Sequence, residues 1–210
     1  MRVVRFAFYL SLVAAAPLLR AEDVLTVANR LAHQHLGYIY GSEDPARGGL
    51  DCSGFVKYVI HEASGIELPD EADRQLEYCR DHGQVWDATS NWTPATLQPG
   101  DLIFFAGPQP LARNSLICHV MIYCGNHVMV GAQGEGRQMD GTMGGVGFYP
   151  IPDRPPTGIL GESGERFIGH RRIFAYGRLN GMPPISVQVL ALLPVYLPEG
   201  HLLNASSKYD

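Results

Sequence analysis

Apolar residues recur at helical spacing up to His82, and strand-like runs take over from Leu102 onward. That switch limits the fold more than any other feature. Helices first and antiparallel strands afterwards make an α+β chain, with N-terminal helices packed on an antiparallel β-sheet. Glu22–Leu36 opens the series, with Val24, Leu25, Ala28, Leu31, Ala32 and Leu36 along one face and Gly37 placed to cap its end. Cys52–Ser64 is the second helix; its stripe is Phe55, Val56, Val59, Ile60 and Ala63, and Gly65 ends it. Asp70–His82 is a third, more polar helix, entered through Pro69 and ended by Gly83. "QPGD" (98–101) is a turn, in which Asp101 fixes the backbone, and Leu102–Ala106 is a buried strand. Cys118–Cys124 and His127–Ala132 form a hairpin with Gly125–Asn126 as the turn signal. Gly131–Gly147 holds seven glycines and is expected to be a mobile loop, as Val85–Pro94 is a loop carrying Trp86 and Trp92. Arg166–Leu179 is the last strand, and Ser186–Pro198 is an apolar segment expected to add a strand or dock.

With 210 residues the chain suits one domain with a tail, and it buries a core without disulfide staples. Residues 1–21 read as a secretory signal: Arg2 and Arg5, then an apolar run of 11 residues from Phe6 to Ala16, then a cleavage site after Ala21. An uncleaved anchor is the alternative, but the run is shorter than the roughly 20 residues a membrane span needs. The expected organisation is a signal at 1–21, a domain at 22–178 and a C-terminal extension at 179–210. Cleavage would remove three of 16 basic residues and none of the 21 acidic ones, moving the net charge from −5 to −8. Such a chain has no electrostatic reason to hold nucleic acid or an anionic membrane.

The chemistry starts at "GGLDCSGFV" (48–56). A free thiol ionises at roughly pH 8.5, and a helix N-terminus or an adjacent imidazolium lowers that value. Cys52 has the first device, because the apolar period starts at Phe55. The N–H groups beside it are suitable donors for an oxyanion. Gly54 allows a backbone or a substrate to approach closely. Among eight histidines, His119 is the candidate partner, since it lies inside an apolar strand. Taken singly, a helix-start cysteine and a strand histidine are more often structural; their order matches papain-like enzymes.

In combination, "GYIYG", "DCSGFVKYV", "LPDEADRQ", "LQPGDLIFF" and "HVMIYCGNHVMVGA" resemble the NlpC-like cell-wall cysteine peptidases, from about Ala28 to Arg178. The resemblance implies a papain-like fold and cleavage of peptidoglycan stem peptides, at the bond between D-glutamate and diaminopimelate. It assigns Cys52 as nucleophile and His119 as general base. Tyr38 matches the tyrosine near the oxyanion, with Tyr40 as runner-up. Asp51 and Ser53 shape the pocket for the peptide's polar end. No metal or organic cofactor is implied. The expected partner is the stem peptide, met by a monomer exported to the periplasm, cell wall or medium. The family's third residue stands twelve positions after the histidine and is often histidine itself; here it is Gly131. Strand alternation puts Gln133 on the same face, so Gln133 is the candidate third residue. Glu135 is a looser one, and a dyad oriented by water or backbone is a further option. Two rivals stay open: an amidase acting on another peptidoglycan bond, and a catalytically weak wall-binding module retaining the fold.

The other candidates read as structural. Cys118 and His119 point to opposite faces of a strand, so they do not share a metal with Cys124. Cys118 and Cys124 are expected to be small buried residues, and a disulfide of either with Cys79 stays open. His33 and His35 do not face each other on a helix and are expected in solvent. His61, His82 and His170 show no partner pattern, and His127 adjoins the hairpin turn. The two tryptophans either line a groove or cover core.

Overall fold

The structure, a computed structural model, describes residues 22–88, 97–107, 114–151 and 172–195. The signal segment, Trp92 and His170 lie outside them. Helix α1 (Val24–Ala32) starts at Asp23, whose carboxylate accepts from the Leu25 and Thr26 N–H groups. Its face Val24, Leu25, Val27, Ala28 and Leu31 is buried. The chain leaves α1 through His35 at φ 54°, and Gly37 opens a strand instead of capping the helix. His33 and His35 are exposed. Strand β1 (Gly37–Tyr38) pairs in parallel with β2 (Gly49–Leu50), Tyr38 opposite Leu50.

Helix α2 (Cys52–Ser64) has the predicted bounds, and Gly65 closes it at φ 72° with its N–H on the His61 carbonyl. Helix α3 (Ala72–His82) begins two residues later than periodicity suggests. A strand then follows where a loop was expected: β3 (Gly83–Asp87) takes up Val85 and Trp86. Trp86 packs against buried core residues, and the Arg178 guanidinium lies 4.9 Å from its ring centre.

Strands β4 (Leu102–Ala106), β5 (Ile117–Gly125), β6 (Val128–Arg137), β7 (Met143–Pro150) and β8 (Arg172–Leu179) complete a six-stranded sheet. Its order is β3-β8-β4-β5-β6-β7, and every pairing is antiparallel. Alternation divides its side chains. Val120, Ile122, Cys124, Val130 and Ala132 join the apolar residues of α1, α2 and α3 in one core. Ile103, Phe105, Met121, Tyr123, Met129 and Tyr149 form a second cluster on the opposite face. All five residues of β4 are buried, as expected of a strand covered on both faces. The expected α+β architecture is thus present.

Two local expectations are corrected. The hairpin between β5 and β6 turns on Asn126–His127, at φ 50° and 58°, the mirror-image geometry that matches sheet twist; Gly125 at φ 95° forms the adjoining bulge. The glycine-rich stretch 131–147 is a hairpin, with β6 and β7 in register from Val128↔Pro150 to Gln133↔Gly145. Glycine is a poor strand former, but the buried alternation Val128, Val130, Ala132 carries the pairing through. Of the two readings of the apolar tail, docking holds, and a helix does it: α4 (Val187–Leu192) packs on α1, burying Val189 and Leu193, while the Ser186 N–H reaches the Asp23 carboxylate at 3.1 Å.

Candidate active site

Local sequence builds the first turn of α2. Asp51 is its N-cap; one carboxylate oxygen accepts from the Gly54 N–H at 2.7 Å and the Ser53 hydroxyl at 3.1 Å. The other accepts from the Gly41 N–H at 2.8 Å. The cap takes the Gly54 donor, so the Cys52 and Ser53 N–H groups are the first-turn donors it does not use. These bonds occupy both Asp51 oxygens within the fold. The close approach allowed by Gly54 serves the chain itself: a β-carbon there would overlap the Ser42 carbonyl oxygen. From α3, buried Gln75 donates to the Ser53 carbonyl at 2.9 Å. The turn bearing Cys52, which is 7 % exposed, is therefore held from three sides.

The β1–β2 ladder delivers the tyrosine. Tyr38 pairs with Leu50, two residues before Cys52, and its ring lies beside Gly134, the neighbour of Gln133. Tyr40 is 89 % exposed, so of the two tyrosines only Tyr38 packs toward the site. Glu135 is exposed as well.

Helix α2 packs on β5 and β6, the strands that carry His119 and Gln133. His119 is 1 % exposed, with its ring centre 5.5 Å from that of Phe105. The β5–β6 register runs to Ile122↔Val130. Counted on from there, Gly131 falls opposite Met121 and Gln133 opposite His119. The first of these is visible in the packing, because a β-carbon on Gly131 would overlap the Met121 sulfur. Met121 thus fills the space beside the expected third position. Gln133 is 1 % exposed.

Among the described residues, no three His, Cys, Asp or Glu side chains cluster as a metal site, and no disulfide is present. Cys79 and Cys124 are buried, which pushes the Cys79 thiol up to about 12 and the Cys124 thiol higher still; Cys118 is partly exposed. His82 stacks on Tyr78, and His61 lies 3.1 Å from Glu67.

Residues 35–146 match the NlpC/P60 family, and they contain every candidate named above. The chain belongs to the NlpC/P60 family. It is 38 % identical over 123 residues to a probable endopeptidase p60 of Listeria seeligeri. That match takes in 57 % of this chain and 20 % of the relative. It is 32 % identical over 113 residues to a gamma-DL-glutamyl hydrolase of Bacillus subtilis, covering 54 % of this chain and 23 % of the relative. The chain therefore spans about a fifth of the length of these curated relatives. Among solved structures, NlpC1 from Trichomonas vaginalis aligns with 76 % of this chain and 45 % of its own, at 23 % identity and a TM-score of 0.47. The papain-like arrangement expected for this NlpC/P60 chain, helices on an antiparallel sheet, is the one observed.

Sequence reasoning missed one contributor. Met121 reads as an ordinary strand residue; its role emerges only from what lies opposite.

Proposed function

We propose that this protein is an exported cysteine peptidase that hydrolyses peptidoglycan stem peptides at the D-glutamyl–diaminopimelate bond. The observation that carries the reading is the first turn of α2. A buried cysteine opens this helix, and the Asp51 cap accepts from the Gly54 N–H of the same turn. The helix dipole favours thiolate there. His119 takes the thiol proton, and the thiolate attacks the amide carbonyl. The carbonyl oxygen gains charge beside the N–H groups of Cys52 and Ser53 and the Tyr38 hydroxyl. As the tetrahedral adduct collapses, His119 gives its proton to the leaving amine. Water activated by His119 then releases the acyl group and restores the thiol. The name of the B. subtilis relative, a gamma-DL-glutamyl hydrolase, favours a glutamyl bond over the sugar–peptide junction. Export rests on the signal-like residues 1–21.

Digestion of purified muropeptides followed by mass analysis tests the proposal. The expected products are fragments cut after D-glutamate, absent with Cys52→Ala. Release of intact stem peptides would replace this assignment with an amidase. Hydrolysis by the Cys52→Ala protein at the parent rate would refute the mechanism.

A further inference from the structure

Gln133 is a buried amide, yet neither of its polar atoms makes a hydrogen bond of normal geometry. Such a group costs stability, and a task would account for its being kept. Its cross-strand partner is Gly145, and the Gly145 carbonyl accepts from the Tyr149 hydroxyl at 2.7 Å. Tyr149 lies on β7, on the same sheet face as Met129 opposite it and as Gln133. Its hydroxyl is thus anchored at the level of Gln133. Burial pushes the Tyr149 phenol up, while the adjacent Gln138 and Gln133 amides pull it back down.

A phenol has one proton to donate. Tyr149 gives that proton to Gly145, so its oxygen can only accept. An amide that pairs with this oxygen would have to present N–H to the phenol and turn its carbonyl oxygen the other way, along the strand level that the register, counted on, gives His119. We infer that Tyr149 is a positioning residue, fixing the Gln133 amide so that its oxygen accepts from the imidazole N–H of His119. The second imidazole nitrogen is then left basic toward Cys52. Gly131 could not do this, having no side chain, and the task passes to the next residue on the same face. The inference rests on the proposed Cys52–His119 chemistry.

A double-mutant cycle tests it, with Tyr149→Phe, Gln133→Ala and the pair. Two quantities are read: kcat and KM on a stem peptide, and the pH profile of Cys52 alkylation followed by peptide mass. Tyr149→Phe should lower kcat about fivefold with KM unchanged, the loss of one neutral hydrogen bond. It should also move the alkylation profile to higher pH, because the imidazolium that supports the thiolate loses its orienter. Gln133→Ala should reproduce both effects, and the double variant should add nothing. Unchanged kcat and profile in Tyr149→Phe, or effects that multiply in the double variant, would overturn the inference. Should a variant fail to fold, ring nitrogen shifts of His119 in the parent protein decide instead. A proton on the nitrogen facing Gln133 is expected, and the opposite tautomer counts against it. Hydrolysis that does not need Cys52 would overturn the proposed function, whereas Cys52-dependent hydrolysis with a neutral Tyr149→Phe overturns only the role of Tyr149.

Discussion

Met121 occupies the space beside Gly131 on the adjacent strand, and a β-carbon at position 131 would run into its sulfur. Both residues are buried, so the absence of a side chain at one and the length of the other are a single packing solution. Substituting Gly131→His alone should therefore cost about 1–3 kcal/mol through overpacking. Adding Met121→Ala should recover part of that loss. Urea midpoints of the two variants check this, and a Gly131→His protein as stable as its parent would contradict the packing.

The cap at Asp51 makes a second prediction. Asparagine is ordinarily as good an N-cap as aspartate. Here both carboxylate oxygens accept from backbone N–H groups, at Gly54 and Gly41. An amide must turn its NH2 toward one of them, so Asp51→Asn should cost about 1 kcal/mol. Thermal unfolding measures it, and Cys52 alkylation should slow in parallel as the first turn loosens. An Asp51→Asn protein as stable as its parent would show that one of the two bonds carries no weight.

Two glycines of the α2 region should respond differently to alanine. At Gly54 a β-carbon would overlap the Ser42 carbonyl oxygen, and neither backbone can yield easily. A loss of about 3 kcal/mol is expected, the upper end of the usual overpacking range. Gly65 has open space around it but sits at φ 72°. Gly65→Ala should cost about 1 kcal/mol, for backbone strain alone. Denaturant midpoints that rank these two in the reverse order would refute the reading.

Stability should fall in alkali. Burial raises the Cys79 thiol from 9.0 to about 12 and raises Cys124, Tyr149 and Tyr176 as well. In the unfolded chain the Cys79 thiol ionises from about pH 9, whereas in the native state it stays protonated. The unfolded state thus binds fewer protons above pH 9, and the stability present below that value is lost progressively as pH rises toward 12. Unfolding free energies measured from pH 8 to 11 should decline, and the decline should shrink in a Cys79→Ala protein compared with its own value at pH 8.

Hydrophobic period was enough to set out the three helices, β4 and the β5–β6 pair. These are local facts: a helix stripe, a cap, an alternating strand. What escaped the sequence was non-local. The stretch 131–147 looked like loop because glycine favours loops when considered alone, whereas pairing with β7 and a buried alternating face make it strand. The apolar tail gave no clue to its partner until Asp23, at the other end of the domain, was found accepting from Ser186.

The third position shows the division most clearly. Sequence alone located the missing side chain at Gly131 and, through the two-residue period of a strand, offered Gln133 in its place. Only tertiary structure decided that Met121 fills the space at 131, that Gln133 is buried, and that the Tyr149 hydroxyl is fixed beside it through Gly145. The physical reason is that periodicity tells which way a side chain points along its own strand, whereas what it meets there depends on the register of the strands on either side.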